Sequence, residues 1–279
     1  MRILLLAILL IDAGSLPADE QTSKISADEI MKKVAENQDR EQKERASFVY
    51  EENIRVTTRH TNGKLAREER TGFLVTPTPK GTEKKRVSIT GSYWYKGRYV
   101  DFSGEPVPQA ESLDGQLASS FRDDLTNDNS KDGLGKDLFP LTTEGQKDLK
   151  FELAGEQTVA GRKAYRIRFA PEDKGDLTWA GEALIDEEEF QPVSVYTRLS
   201  RRLPLFVRSV LGTDLPGFGF NTQYSRVDKD IWFPVSFGTE FRLHAIFFIN
   251  RTITVSMENK NFKRGSAESH IRYEDESPK

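Results

Sequence analysis

The 279-residue chain contains no cysteine, and its three histidines, His60, His244 and His270, lie far apart. A disulfide framework, a thiol nucleophile, a zinc ribbon and an iron–sulfur cluster are therefore excluded, and a histidine-rich metal centre has little to work with. A large charge imbalance is also missing. Lys plus Arg is 41 and Asp plus Glu is 44, a formal net charge of -3, which argues against a dedicated nucleic-acid binder. No apolar run approaches the roughly 20 residues of a spanning helix. What is abundant is charge, at 30%, and phenylalanine, at 17 residues. A mean hydropathy of -0.61 describes a soluble chain, but that much aromatic area is too large for a disordered one.

The N-terminus reads as an address. Arg2 precedes nine unbroken apolar residues, Ile3 to Ile11, followed by small residues. This is the pattern of a secretory signal. Cleavage after Ser15 or Ala18 fits, and the polar Asp19-Glu20 favours residues 1–18 as the signal peptide. No cysteine follows to carry a lipid, so the expected mature chain is soluble and unanchored, periplasmic in a Gram-negative source.

Ser26 and Glu29 form a capping box that opens a helix expected from Ala27 to about Glu44. Ile30 and Val34 face one side, and the charged second half reads as poorly buried. From Ser47 the apolar period becomes two, and a run of hairpins follows. Thr61-Asn62-Gly63 supplies a turn that tolerates positive φ. Residues 76–85 read as a loop rich in Pro, Gly and Lys. Tyr93-Trp94-Tyr95, the turn Lys96-Gly97 and residues 98–102 read as an aromatic hairpin.

Residues 103–148 read as an insertion leaving the sheet, with one helical patch carrying Leu113, Leu117, Phe121 and Leu125 at spacings of four. Strands resume at Leu149 and continue to about Met257. In the strand 161–170, Tyr165, Ile167 and Phe169 point in while Arg166 and Arg168 point out. Asp186 to Glu189 reads as a solvated turn. A second irregular stretch covers residues 201–217, and the tail from residue 265 is polar. One mostly-β domain over residues 19–264 follows. In Ile231-Trp232-Phe233 and Ile246-Phe247-Phe248-Ile249 the alternation fails, so both faces are apolar there. One face then needs a second cover or a ligand.

Motifs for catalysis are missing. There is no Gly-x-Ser-x-Gly elbow or Walker loop, and Gly217-Phe218-Gly219-Phe220 lacks the third glycine of a dinucleotide fingerprint. Asp128 to Gly133 imitates half a calcium loop, but Phe139 stands where a bidentate Glu belongs. The expectation is a non-enzyme without cofactor or metal, with a hydrolase as the distant alternative. Arg201, Arg202, Leu205, Phe206 and Arg208 mix cations with apolar residues, and residues 192–260 hold nine Lys/Arg against five Asp/Glu. This loop either docks on an anionic membrane or a partner, or caps the open end of the sheet.

Three segments carry a family resemblance. Gly155 to Pro171 is similar to a "G…V-x-G-x-x-A-Y-x-L-x-L-x-P" hairpin, Ala183-Leu184-Ile185-Asp186 with Gln191-Pro192-Val193 to a "W-I-D…L-P-V" hairpin, and Ile231-Trp232-Phe233-Pro234 to a "G-x-W-x-P" strand. These hairpins, with the helix-then-strand opening at 27–56, resemble the periplasmic outer-membrane lipoprotein carrier and lipoprotein-sorting superfamily. The resemblance implies one curved antiparallel sheet of about ten to eleven strands, an open half-barrel, with the N-terminal helix and lid helices over an apolar cavity for acyl chains. It implies a carrier of lipid or acylated lipoprotein to the outer membrane, or a sensor or assembly protein of the same fold acting through a membrane-protein partner. In the family's carriers an Arg immediately before a Pro helps hold the lid; the comparable position here is Thr76. The lipid-facing candidates are Phe73, Trp94, Phe102, Trp179, Trp232, Phe247 and Phe248; each could equally be ordinary core.

Overall fold

A computed structural model describes residues 25–78, 81–126, 130–131, 134–135, 141–172, 179–199, 219–229, 231–245 and 249–265. Helix α1 (Ala27–Arg45) starts at the capping box, with Ser26 Oγ accepting from the Glu29 N–H at 3.2 Å and the Glu29 carboxylate accepting from the Ser26 N–H at 3.0 Å. Strands β1 (Phe48–Arg59), β2 (Leu65–Thr78), β3 (Gly81–Tyr95) and β4 (Arg98–Ser103) follow as successive hairpins. Next come α2 (Leu113–Thr126) and the two-residue strands β5 (Ser130–Lys131) and β6 (Leu134–Gly135). Strands β7 (Leu149–Val159), β8 (Arg162–Pro171), β9 (Trp179–Asp186), β10 (Pro192–Leu199), β11 (Gly219–Asp228), β12 (Ile231–Ala245) and β13 (Ile249–Arg264) complete the chain.

Eleven strands form one antiparallel sheet in the order β4-β3-β2-β1-β13-β12-β11-β10-β9-β8-β7. Its edges, β4 and β7, do not pair with each other, so the sheet stays open. Only one junction, β1 with β13, joins strands distant in sequence; every other neighbour is the next strand in the chain. The chain therefore enters at the centre, runs out to one edge, crosses to the opposite edge and meanders back.

The strand order gives residues 103–148 their place. They are the link from edge β4 to edge β7. A connection between opposite edges must pass over one face, and this one carries α2 across the same face that α1 covers. Among residues 76–85, expected as a loop, 76–78 and 81–85 are strand. Strands β2 and β3 stay paired out to Thr78 opposite Gly81. Thr, Val and charged side chains on a half-exposed ribbon tolerate strand geometry, and Pro77 sits near the strand end where its missing donor costs least.

The helix-covered, inner face holds the core: Ile30, Met31 and Val34 of α1 against Ile54, Ile167, Phe169, Ile185, Val195, Phe237, Ile253, Val255 and Met257, all buried. The inward set of the 161–170 strand is as expected, with Ile167 and Phe169 buried. A smaller cluster of Phe48, Tyr50, Val75, Ile231 and Phe233, with Phe262 packed on it, closes the end of the sheet where α1 hands over to β1. Phe233 meets Phe262 at 4.6 Å and Phe48 at 5.2 Å between ring centroids.

Candidate functional site

The inner face is divided by chemistry. Strand register lines its side chains into rows across the sheet. One row runs Leu153, Ile167, Ala183, Val195, Thr222, Phe237, Met257, Ile54, Thr71. From β7 to β13 such rows are dominated by apolar residues. On β1 to β3 they turn polar. Glu52, Thr58, Arg67, Glu69 and Thr71 are all buried there.

Each half has its own helix. Helix α1 lies on the apolar half, and its buried stripe does not stop at Val34. It continues through Ala35, Gln38, Glu41 and Arg45, which corrects the expectation of a solvated second half. These polar residues are buried because they meet partners. Gln38 donates to Gln191 Oε1 at 2.7 Å, Gln191 donates to Glu41, and the Trp232 N–H donates to Glu41 Oε2 at 3.0 Å. Arg45 donates to the Trp232 carbonyl at 3.0 Å. Burial raises the Glu41 pKa against the opposing pull of these contacts.

The turn after β9 completes this clamp, and it is not simply solvated. Asp186 is 1% exposed. It accepts from the Glu188 and Glu189 N–H groups at 3.1 and 2.9 Å and from Arg162 Nε at 2.6 Å. Asn37 donates to the carbonyls of Glu189 and Phe190 at 2.9 and 3.2 Å, and Lys33 lies 4.2 Å from the Phe190 ring centroid. Glu189 is bound by three donors: Arg226, Trp232 Nε1 at 2.9 Å, and Arg162. Burial works against its charge, but the bonds from Arg226, Trp232 and Arg162 prevail and bring the carboxyl down to about 2.

Helix α2 lies over the polar half and is held differently. Of its 14 residues only Gly115 and Ala118 are buried. Leu117, Phe121 and Leu125 rest on the edge of the core, Phe121 meeting Phe241 edge-on at 5.4 Å. The rest of its hold is electrostatic. Asp114 takes both arms of Arg251 at 2.8 and 3.1 Å, Arg122 pairs with Glu69, and Lys84 donates to the Leu125 carbonyl at 3.2 Å while holding both oxygens of Glu52 at 3.0 Å. Burial raises the Glu52 pKa, opposed by Lys84. Arg67 donates to Glu69 and to the Pro108 carbonyl, each at 3.0 Å. An arginine thus reaches the segment leading into α2 although Thr76 replaces the arginine of the motif.

The aromatic candidates separate. Phe73 and Trp232 are buried in the inner-face core, and Trp179 packs against it, edge-on to Phe220 at 5.3 Å. Trp94 and Phe102 lie outside that core. Trp94 is half-buried in the β3–β4 hairpin, edge-on to Tyr99 at 4.9 Å with Lys64 Nζ 3.2 Å from its ring centroid. Phe102 lies across Gly91, where a Cβ would fall 2.6 Å from its ring, and under the Arg67 guanidinium at 5.0 Å. Phe247 and Phe248 lie outside the described residues, as do Arg201, Arg202, Leu205, Phe206 and Arg208, the signal 1–18 and most of the calcium-like stretch. No group of three or more His, Asp or Glu able to hold a metal occurs among the described residues. No helix there is long and apolar enough to cross a membrane.

Sequence reasoning missed Gln38, Glu41 and Arg45. Their signal was spacing: at four, three and four residues they continue the stripe of Ile30 and Val34. Arg162, Asp186, Glu189 and Arg226 come together only through strand pairing and had no such signal.

No family model matches this chain, and neither does any curated protein. Solved structures do. The chain is similar to a LolA superfamily protein from Nitrosomonas europaea, with 11% identity and a TM-score of 0.35 over 87% of this chain and 94% of that one. It is also similar to a DUF1329 family protein from Desulfovibrio piger (14%, 0.38, 86% and 95%) and to the MucA/MucB complex of Pseudomonas aeruginosa (10%, 0.24, 84% and 99%).

Proposed function

We propose that the protein is a periplasmic carrier that takes the acyl chain of a lipid or lipoprotein, without a covalent bond, against the inner face of its sheet for delivery to the outer membrane. The observation that carries this reading is the unequal hold on the two helices. Helix α1 is clamped to the apolar half by a buried hydrogen-bond network, so it belongs to the wall. Helix α2 fully buries only two residues, rests Leu117, Phe121 and Leu125 on the edge of the core, and is otherwise held by ion pairs to β13 and β2, so it can lift more readily than α1. Lifting it widens access to Phe73 and Phe241 beside it.

The chemistry requires no catalytic group. Each CH₂ kept out of water is worth about 0.8 kcal/mol, so an aromatic-rich wall can offset the cost of leaving the bilayer, and release follows when α2 closes on the core again. Organic extraction of protein purified without detergent, followed by mass spectrometry, tests the reading. Acyl lipid at near-stoichiometric amount is expected. Protein free of lipid that also takes up none when mixed with phospholipid vesicles would sink it.

A further inference from the structure

The apolar half of the inner face carries two hydroxyls that nothing satisfies. Thr197 on β10 and Thr222 on β11 are both 0% exposed, and neither Oγ1 meets a hydrogen-bond partner. Buried hydroxyls are ordinarily paired. The neighbouring strand shows the ordinary solution, since Thr239 on β12 gives its hydroxyl to the Gly219 carbonyl at 2.7 Å.

The two hydroxyls belong to one place. Val195 faces Thr222 and Thr197 faces Phe220 across the ladder, so Thr197 and Thr222 are diagonal neighbours on one face, their Cβ atoms within about 7 Å. Small residues border the pair. On β9 the residues opposite Thr197 and Val195 are Gly181 and Ala183, the smallest available. Larger rings stand around it. Phe169 lies over Gly181, and Phe220 stacks on Phe237 at 5.2 Å and meets Trp179 edge-on.

We infer that this hydroxyl pair, resting on the carrier reading above, is the subsite for the neutral carbonyl of an acyl ester or amide. Two hydroxyl donors a short way apart suit one carbonyl oxygen, which accepts two hydrogen bonds. A plain hydrocarbon offers them no acceptor. A carboxylate would bring a charge into an apolar wall whose local donors are neutral. The carbonyl therefore sets the depth and register of the chain, while the rings around it hold the methylenes.

The test uses the full-length, delipidated protein loaded with the neutral dye N-phenyl-1-naphthylamine, displaced by methyl laurate, laurate or dodecane. Methyl laurate should compete better than dodecane by about tenfold, the value of a net hydrogen bond or two, and better than laurate. Thr197→Val with Thr222→Val should erase the preference over dodecane and leave dodecane displacement intact. The double variant should melt no lower than the unaltered protein, because an unmet hydroxyl has been removed. Thr197→Ser with Thr222→Ser keeps both donors and should keep the preference, which covers a failure of the valine variant to fold. Thr58→Val removes another unmet buried hydroxyl, four strands from Thr197, and should change nothing in the ranking. A preference that survives in the double valine variant, or equal competition by ester and alkane in the unaltered protein, overturns the subsite and leaves the carrier reading standing. Displacement by none of the three compounds overturns both.

Discussion

Trp232 donates its indole N–H to Glu189 at 2.9 Å, while its backbone N–H donates to Glu41 at 3.0 Å. One residue of β12 thereby ties the turn after β9 to helix α1. The indole is also covered on one side by Arg162, 5.6 Å from a ring centroid. The aromatic residue that reads as a lipid contact in the sequence is therefore also a structural tie in the wall.

Removing the acceptor should cost more than removing one donor. Glu189→Gln leaves Arg162 and Arg226 without their shared carboxylate, and a loss of about 2 kcal/mol is expected from the disruption of charged hydrogen bonds. Trp232→Phe removes one bond and should cost about 1 kcal/mol. Urea denaturation of the two variants measures both. Equal stability of Glu189→Gln and the unaltered protein would show that the clamp contributes nothing.

The clamp also sets a pH dependence. The native Glu189 carboxyl is held at about 2, below its ordinary value of 4.5, and Asp186 is held below 3.8, with burial opposing and the Arg162 bond lowering it. As pH falls below 4.5 the unfolded chain takes up protons that native Glu189 refuses, so stability falls with falling pH until about 2. Glu41 and Glu52 are raised by burial, so the folded chain protonates them above pH 4.5, and their opposite-signed contribution lies in that higher range. Thermal midpoints measured from pH 4.5 to pH 2 should decline, and Glu189→Gln should flatten that decline. A variant with the same acid slope as the parent would refute the assignment.

Helix α2 should loosen before the sheet does. Arg251→Ala removes both bonds to Asp114. Hydrogen exchange in residues 113–126 is expected to quicken by about tenfold, consistent with the loss of roughly 1–2 kcal/mol from a half-buried bidentate pair, while β12 and β13 keep their protection. Exchange that quickens equally in β12, β13 and α2 would mean that the helix is not a separate unit.

The pair Glu52 and Lys84 is buried enough to show the asymmetry of internal charges. Its side chains are 0% and 8% exposed. Glu52→Ala alone should cost about 3–5 kcal/mol by leaving the ammonium unpaired, whereas Glu52→Leu with Lys84→Met should recover most of that. A double-mutant cycle by chemical denaturation checks it. Additive losses would show that the two groups act independently.

Local periodicity made much of this molecule readable before any coordinates. The capping box at Ser26 and Glu29 opens α1 where expected, and the Lys96-Gly97 turn joins β3 to β4. The alternation of Arg166, Ile167, Arg168 and Phe169 is a property of neighbours two residues apart, so it needs no tertiary information. The resemblance carried by the hairpin motifs pointed to an open antiparallel sheet, and the sheet is open and antiparallel. The stretch 76–85 misled because Pro, Gly and Lys are turn-formers on average, while a ribbon already paired over Arg67 to Thr71 can extend past them.

The order of strands was beyond such reasoning. Nothing local says that β1 pairs with β13, yet that single junction makes residues 103–148 the crossing between opposite edges and so places α2 over the inner face. The same holds for Asp186 and Glu189. Four consecutive acidic residues ordinarily mean a wet turn, and only the approach of Arg162, Arg226 and Trp232 from other strands makes Asp186 a buried anchor and Glu189 a partly buried one. The hydroxyls of Thr197 and Thr222 also become notable only when register puts them side by side in an apolar wall. Sequence by itself determined the helix, most of the hairpins and the aromatic wealth of the chain, because these depend on spacing within a few residues. Which charges are paired, which face is covered and which polar atoms are left without partners were decided by contacts between segments from a few tens to well over a hundred residues apart.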